Sequence, residues 1–281
     1  MATNLSIGIY HPSKIITPDI LDINQLGFIT ASQHCYAKQI KELYPQLTLP
    51  IRAYLVGVSQ FKKESDFIEQ LRRPDFVPAL KQHSSEGFPL QIVFNELFGL
   101  NGNLRDGINE VSLFNIIDLV LVFLNNPEII FNEMNTYRFT QYTGNGIQEN
   151  GVLRFIQKVK ERYPQANISL GIQTIGNKLC RDLILTTLPL ILSHIKNLEW
   201  FTYPIHFTEV GYYHYHYPSE PQQQTRFLDA IRKIATANNV SSLCYIYPWD
   251  GDYFHLAGQP RNSICGIWDE EWNVKYQLFG T

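Results

Sequence analysis

Short runs of apolar, β-branched and aromatic residues recur along the chain, and longer stretches with apolar residues at helical spacing separate them. The strand-like runs are SIGIY (6–10), IRAYLVGV (51–58), LQIVF (90–94), EIIF (128–131), ISLGIQT (168–174), EWFTYPIHF (199–207) and SLCYIY (242–247). Helical spacing or composition marks ASQHCYAKQIKEL, SDFIEQLRR, INEVSLFNIIDLVLVFL, NGVLRFIQKVKERY, CRDLILTTLPLILSHI and QQQTRFLDAIRKIATA. Strand followed by helix over the whole length predicts a parallel sheet with helical crossovers. No low-complexity linker and no sequence repeat divides the pattern, so residues 1–281 read as one domain.

Two arrangements satisfy this alternation, an open doubly wound sheet and a closed barrel. An open nucleotide-binding sheet carries a glycine-rich phosphate loop after an early strand. The stretch after the first strand, HPSKIITPD, has no glycine. Polar residues stand instead at the C-terminal ends of several strands: His11, Asn95 with Glu96, Asn132 with Glu133, Glu209, and Trp249 with Asp250. Barrel enzymes carry their chemistry at that face. The expected fold is a (β/α)8 TIM-type barrel. Only two clear helices, 148–163 and about 179–196, fall between Glu133 and Glu209. Either 199–203 and 205–209 are separate strands joined without a helix, or one β/α unit is degenerate or missing.

The stretches "NNPEIIFNEMNTY", "YPIHFTEVGY" and "YIYPWDGD", the last followed by "GIWDEEWNVK", together resemble the clan A glycoside hydrolases. In that clan the fourth strand ends in Asn-Glu, the seventh in Glu, and the eighth carries a tryptophan. The likeness is clearest over 128–135 and 204–275. It implies that Glu133 is the acid/base and Glu209 the nucleophile of a retaining glycosidase, both facing one pocket. It further implies that Asn132 bonds the sugar 2-hydroxyl and that Trp249 offers a sugar ring an apolar face. Tyr203, or one of Tyr212 and Tyr213, is a candidate donor to the nucleophile. Such chemistry needs two carboxyl groups, one to protonate the leaving oxygen and one to attack the anomeric carbon. It needs no cofactor.

Asn95 and Glu96 end the third of the strand-like runs and are candidates to line the barrel mouth, as is His11 at the end of the first. Glu96 in "IVFNELFG" also resembles the acid of the nitrilase family. That family requires a cysteine nucleophile in a context that neither Cys180 nor Cys244 offers. His206, His214 and His216 with Glu209 could form a metal set, but histidines beside a sugar site are ordinary hydrogen-bonding neighbours, and no metal is expected. The rival to an enzyme is a catalytically silent barrel that binds a glycan.

Charge and composition narrow the partners. A net charge of −3 gives no basic field for nucleic acid or an acidic membrane surface. The longest apolar run, IIDLVLVFL, is too short to span a bilayer. The N-terminus shows no signal-peptide pattern, and the four cysteines form no CxxC pair. A cytoplasmic protein with a carbohydrate substrate is expected, with export by a leaderless route still open.

Overall fold

The computed structural model describes residues 5–10, 28–30, 42, 45, 51–56, 89–99, 102–105, 108–134, 151–213, 221–246 and 276. Eight strands form one sheet: β1 (Ser6–Tyr10), β2 (Phe28–Thr30), β3 (Ile51–Val56), β4 (Leu90–Asn95), β5 (Glu128–Met134), β6 (Ile168–Asn177), β7 (Ile205–Tyr213) and β8 (Ser242–Tyr245). Every pairing is parallel, and the spatial order is β2-β1-β8-β7-β6-β5-β4-β3. Apart from β2 and β3, which end the sheet and are not paired with each other among the described residues, each strand lies beside its neighbour in sequence, and the last strand pairs with the first. That cyclic order is the wiring of a (β/α)8 barrel and excludes a doubly wound sheet, in which the strand order reverses.

The four described helices are α1 (Glu110–Phe123), α2 (Gly151–Arg162), α3 (Arg181–Lys196) and α4 (Pro221–Ala237). All four match stretches read as helical from their spacing. Asn109 caps α1, its side chain accepting the Ser112 amide at 2.8 Å. Among the described residues no helix is long and apolar enough to cross a membrane.

Two features differ from the sequence reading. The short strand β2 was not expected, because three residues offer no period to detect. It lies before Glu133, so Glu133 is carried by the fifth strand, and the two helices between Glu133 and Glu209 match the single intervening strand β6. The run EWFTYPIHF is not a strand throughout. Residues 198–204 form the turn after α3, and β7 starts at Ile205 and continues through Tyr213.

Alternation along the strands divides the side chains. Phe94 and Phe131 face outward and touch each other with ring centroids 5.4 Å apart. Phe131 also meets Phe155 of α2 edge-on at 5.5 Å. Ile129, Ile92 and Leu170 join the same buried core, where deleting one large side chain costs about 3–5 kcal/mol. The inner face is more polar. At the N-terminal ends of the strands, His206 joins Ser242 at 2.7 Å and Glu128 at 2.8 Å, and Gln91 donates to Glu128 at 2.9 Å. Ser169 also bonds Glu128. This floor layer ties together β4 to β8.

Candidate active site

At the opposite, C-terminal ends of the strands, the inner face gathers polar side chains from β4 to β7. Asn132 on β5 is fully buried. Its Nδ2 donates to Asn95 Oδ1 at 2.7 Å and to Glu209 Oε1 at 3.3 Å, and its Oδ1 accepts the Thr208 hydroxyl. Gln173 on β6 donates through Nε2 to Asn95 Oδ1 at 3.1 Å, to Glu96 Oε1 at 3.4 Å and to Glu209 Oε1 at 3.4 Å. The Gln173 amide thus joins two carboxylates. Two bonds of 3.4 Å hold Glu96 Oε1 and Glu209 Oε1 no more than about 7 Å apart.

Local backbone features aim these groups. On β7, Phe207 pairs with Ile172 and Glu209 with Gln173, leaving Thr208 as an extra residue. Such a bulge bends the strand and re-aims side chains. Here it lets Thr208 and Glu209, adjacent in sequence, both turn inward. Glu96 reaches the same space by another route. The β4 ladder ends at Asn95, opposite Asn132, and Glu96 takes a φ of 53°. A non-glycine residue in that left-handed region carries a cost of about 1–3 kcal/mol and is often met at functional sites. Its amide N–H donates to the Asn132 carbonyl at 2.7 Å, which fixes the turn.

Beyond Glu96 the chain forms a small antiparallel bridge, Phe98 with Leu104, closed by Gly99 N–H on Asn103 O at 2.8 Å. Arg105 follows, and its Nη2 reaches Glu96 Oε2 at 3.1 Å. Gly171 supplies the room for this packing. A Cβ there would lie 2.7 Å from Asn132 Oδ1 and 2.9 Å from both Ile130 Cγ2 and Thr208 Cγ2.

Glu133 does not belong to this group, and the expectation that it shares a pocket with Glu209 is corrected. β5 stays paired through Glu133 and Met134, opposite Ile172 and Gln173. Strict alternation therefore applies: Asn132 faces in, and Glu133 faces out on the side of Phe131. The Glu133 side chain is buried, and its Oε1 accepts the Phe98 amide at 3.2 Å. It anchors the loop after β4 from behind the barrel wall.

Tyr203 is also placed elsewhere. It precedes β7, at the floor end, with its ring 5.2 Å from Phe201 and beneath Lys160 Nζ at 5.7 Å. Tyr212 faces outward onto Phe227 at 5.4 Å, and its hydroxyl donates to Gln223. Neither serves as a donor to Glu209. His206 is held in the floor, so it does not join Glu209 in a metal set. His11, Trp249, His214, His216 and the side chain of Tyr213 lie outside the described residues. Among the described residues no group of three or more His, Cys, Asp or Glu is placed to hold a metal ion.

Of the expected residues, the structure brings together Asn95, Glu96, Asn132 and Glu209. Gln173 and Arg105 complete the cluster without having been singled out. Gln173 had a visible signal, a polar residue ending an apolar strand, whereas Arg105 had none.

No family model matches the sequence, and no curated protein matches it. Solved structures do match it. The chain is similar to xylanase 10B from Thermotoga petrophila RKU-1 in complex with xylobiose, at 14% identity over 97% of this chain and 91% of that one, with a TM-score of 0.70. It is similar to native xylanase 10B from Thermotoga maritima at 14% identity, 97% and 92% coverage and a TM-score of 0.70. The intracellular xylanase TsXylA of Thermoanaerobacterium saccharolyticum, as a glutamate-to-alanine mutant with xylotriose, matches at 13% identity, 96% and 93% coverage and a TM-score of 0.67. This degree of likeness establishes the (β/α)8 barrel over nearly the whole chain.

Proposed function

We propose that this protein is a retaining glycoside hydrolase in which Glu96 is the acid/base and Glu209 the nucleophile. The observation that carries the proposal is the Gln173 amide shared by these two carboxylates, on the inner face at the C-terminal ends of β4, β6 and β7. That is the face from which (β/α)8 enzymes act. A ceiling of about 7 Å between the nearest oxygens is compatible with the roughly 5–5.5 Å of retaining enzymes.

Each residue then has a chemical task. Glu209 Oε1 accepts from Asn132 and Gln173, and such donors favour and orient the carboxylate that must attack the anomeric carbon. Protonated Glu96 gives its hydrogen to the glycosidic oxygen as that C–O bond breaks, and Glu209 forms the glycosyl ester. Glu96, now a carboxylate, takes a proton from water, whose oxygen displaces Glu209 and releases the sugar with its original anomeric configuration. Asn132, fully buried, holds Asn95 and Glu209 in place, and Asn95, only partly buried, is the member of this pair assigned to contact a sugar hydroxyl beside the nucleophile.

For the substrate, we infer a β-linked oligosaccharide. Support comes from the similar structures, which are named as xylanases and in two cases hold xylobiose or xylotriose. Incubation with xylo-oligosaccharides and an aryl β-xyloside, read by NMR of the first-formed anomer, tests the proposal. Hydrolysis with retention is expected, and it should fall by at least about 100-fold in both Glu96→Gln and Glu209→Gln. Binding without turnover would favour the silent glycan-binding barrel. Turnover that survives both substitutions would overturn the assignment.

A further inference from the structure

The two oxygens of Glu96 are held by donors of different kinds. Oε1 takes the Gln173 amide at 3.4 Å, a long bond that Gln173 divides with Glu209 and Asn95. Oε2 takes the Arg105 guanidinium at 3.1 Å. Arg105 is fixed in turn, its Nε donating to Phe98 O at 3.3 Å and its backbone N–H to Leu97 O at 2.9 Å. The Arg105 and Glu96 side chains are 25% and 13% exposed, so the contact is largely withdrawn from water.

Resting on the hydrolase reading, we propose that Arg105 is a positioning residue that reserves Oε1 of Glu96 for proton transfer. A guanidinium has donors only and stays protonated in proteins. An oxygen that accepts from this charged donor is the costlier place for an acid hydrogen, because protonation weakens it as an acceptor. The proton of the acid form is therefore favoured on Oε1, the oxygen turned toward Gln173 and Glu209, where the neutral and longer amide bond is the easier one to give up. Its amide bond is the weaker of the two, and a glycosidic oxygen can displace it. Arg105 also holds Glu96 in the left-handed turn that brings it inward.

The test compares kcat/KM, which reports steps through the first irreversible one, for two glycosides of the same sugar. One carries a dinitrophenyl group, which leaves without a proton, and the other an alkyl group, which needs one. In Arg105→Gln, kcat/KM should fall roughly 10–100-fold for the alkyl glycoside and change little for the dinitrophenyl glycoside. Arg105→Lys, which keeps the charge but not the planar fork, should fall between parent and Arg105→Gln. Should Arg105→Gln fail to fold, the ratio of the two substrates in Arg105→Lys decides alone. Equal losses on both substrates, or no loss on either, would overturn the role of Arg105 and leave the hydrolase reading intact. A parent that cleaves neither substrate would overturn both.

Discussion

Glu96, just past the end of β4, and Glu209 on β7 are separated by two strands, yet both accept a hydrogen bond from the amide nitrogen of Gln173. The separation of the two carboxyl groups is therefore set by a side chain as well as by the strands. Replacing Gln173 with Leu removes that common donor while keeping much of its bulk. A fall in kcat/KM of about 10–100-fold is expected, with KM changing less than kcat. Steady-state kinetics on an aryl glycoside, together with a melting curve to show that the fold persists, would check this.

Glu133 offers the sharpest contrast. Its carboxyl lies behind the barrel wall and accepts the Phe98 amide. Glu133→Gln retains a carbonyl acceptor for that bond and should keep most activity per folded molecule. A loss of stability of about 1–2 kcal/mol is expected, from exchanging a charged acceptor for a neutral one. Urea unfolding measured alongside activity would test both halves. A dead but fully stable Glu133→Gln would mean that Glu133, and not Glu96, meets the substrate.

The floor of the barrel predicts an acid limb in stability. Burial alone would raise the Glu128 pKa, but the bond and charge of His206, with the bonds from Ser169 and Gln91, outweigh it and bring it to about 2, below its ordinary 4.5. A depressed folded-state value means that the contribution is complete above about pH 4.5 and is lost as pH falls toward 2. The amount at stake is roughly 3 kcal/mol. Unfolding free energies measured from pH 6 to pH 2 should decline in the parent, and the decline should be shallower in Glu128→Gln.

Gly171 should tolerate no side chain. The Cβ of Gly171→Ala would press on Asn132, Ile130 and Thr208 at under 3 Å. An overpacking cost of about 1–3 kcal/mol is expected. Because Asn132 bonds Glu209, kcat should fall with stability. Differential scanning calorimetry and kinetics on one preparation would reveal whether the two move together.

Much of this architecture is legible in the amino-acid order. Runs such as ISLGIQT and helices such as QQQTRFLDAIRKIATA announce themselves by period, and the polar residues at strand ends point to the correct face. What the order leaves open is decided by backbone irregularities. "FNE" occurs at both 94–96 and 131–133. The two copies differ only in where the ladder stops: after Asn95 in β4, but beyond Glu133 in β5. That single difference turns one glutamate inward and the other outward, and no local pattern encodes it. Tyr203 misled for a related reason. Its aromatic neighbours Trp200 and Phe201 mimic a strand, but they pack in the turn below β7.

The extra residue at Thr208 leaves β7 in two phases. His206 and Glu209 are three positions apart, an odd interval, yet both point into the barrel. A uniform strand would send one of them out. The floor and the mouth of the barrel are consequently two separate reading frames on one strand. A one-residue deletion at the bulge would merge them, and only one of the two acidic centres, Glu128 with its histidine or Glu209 with its amides, could then keep its partners.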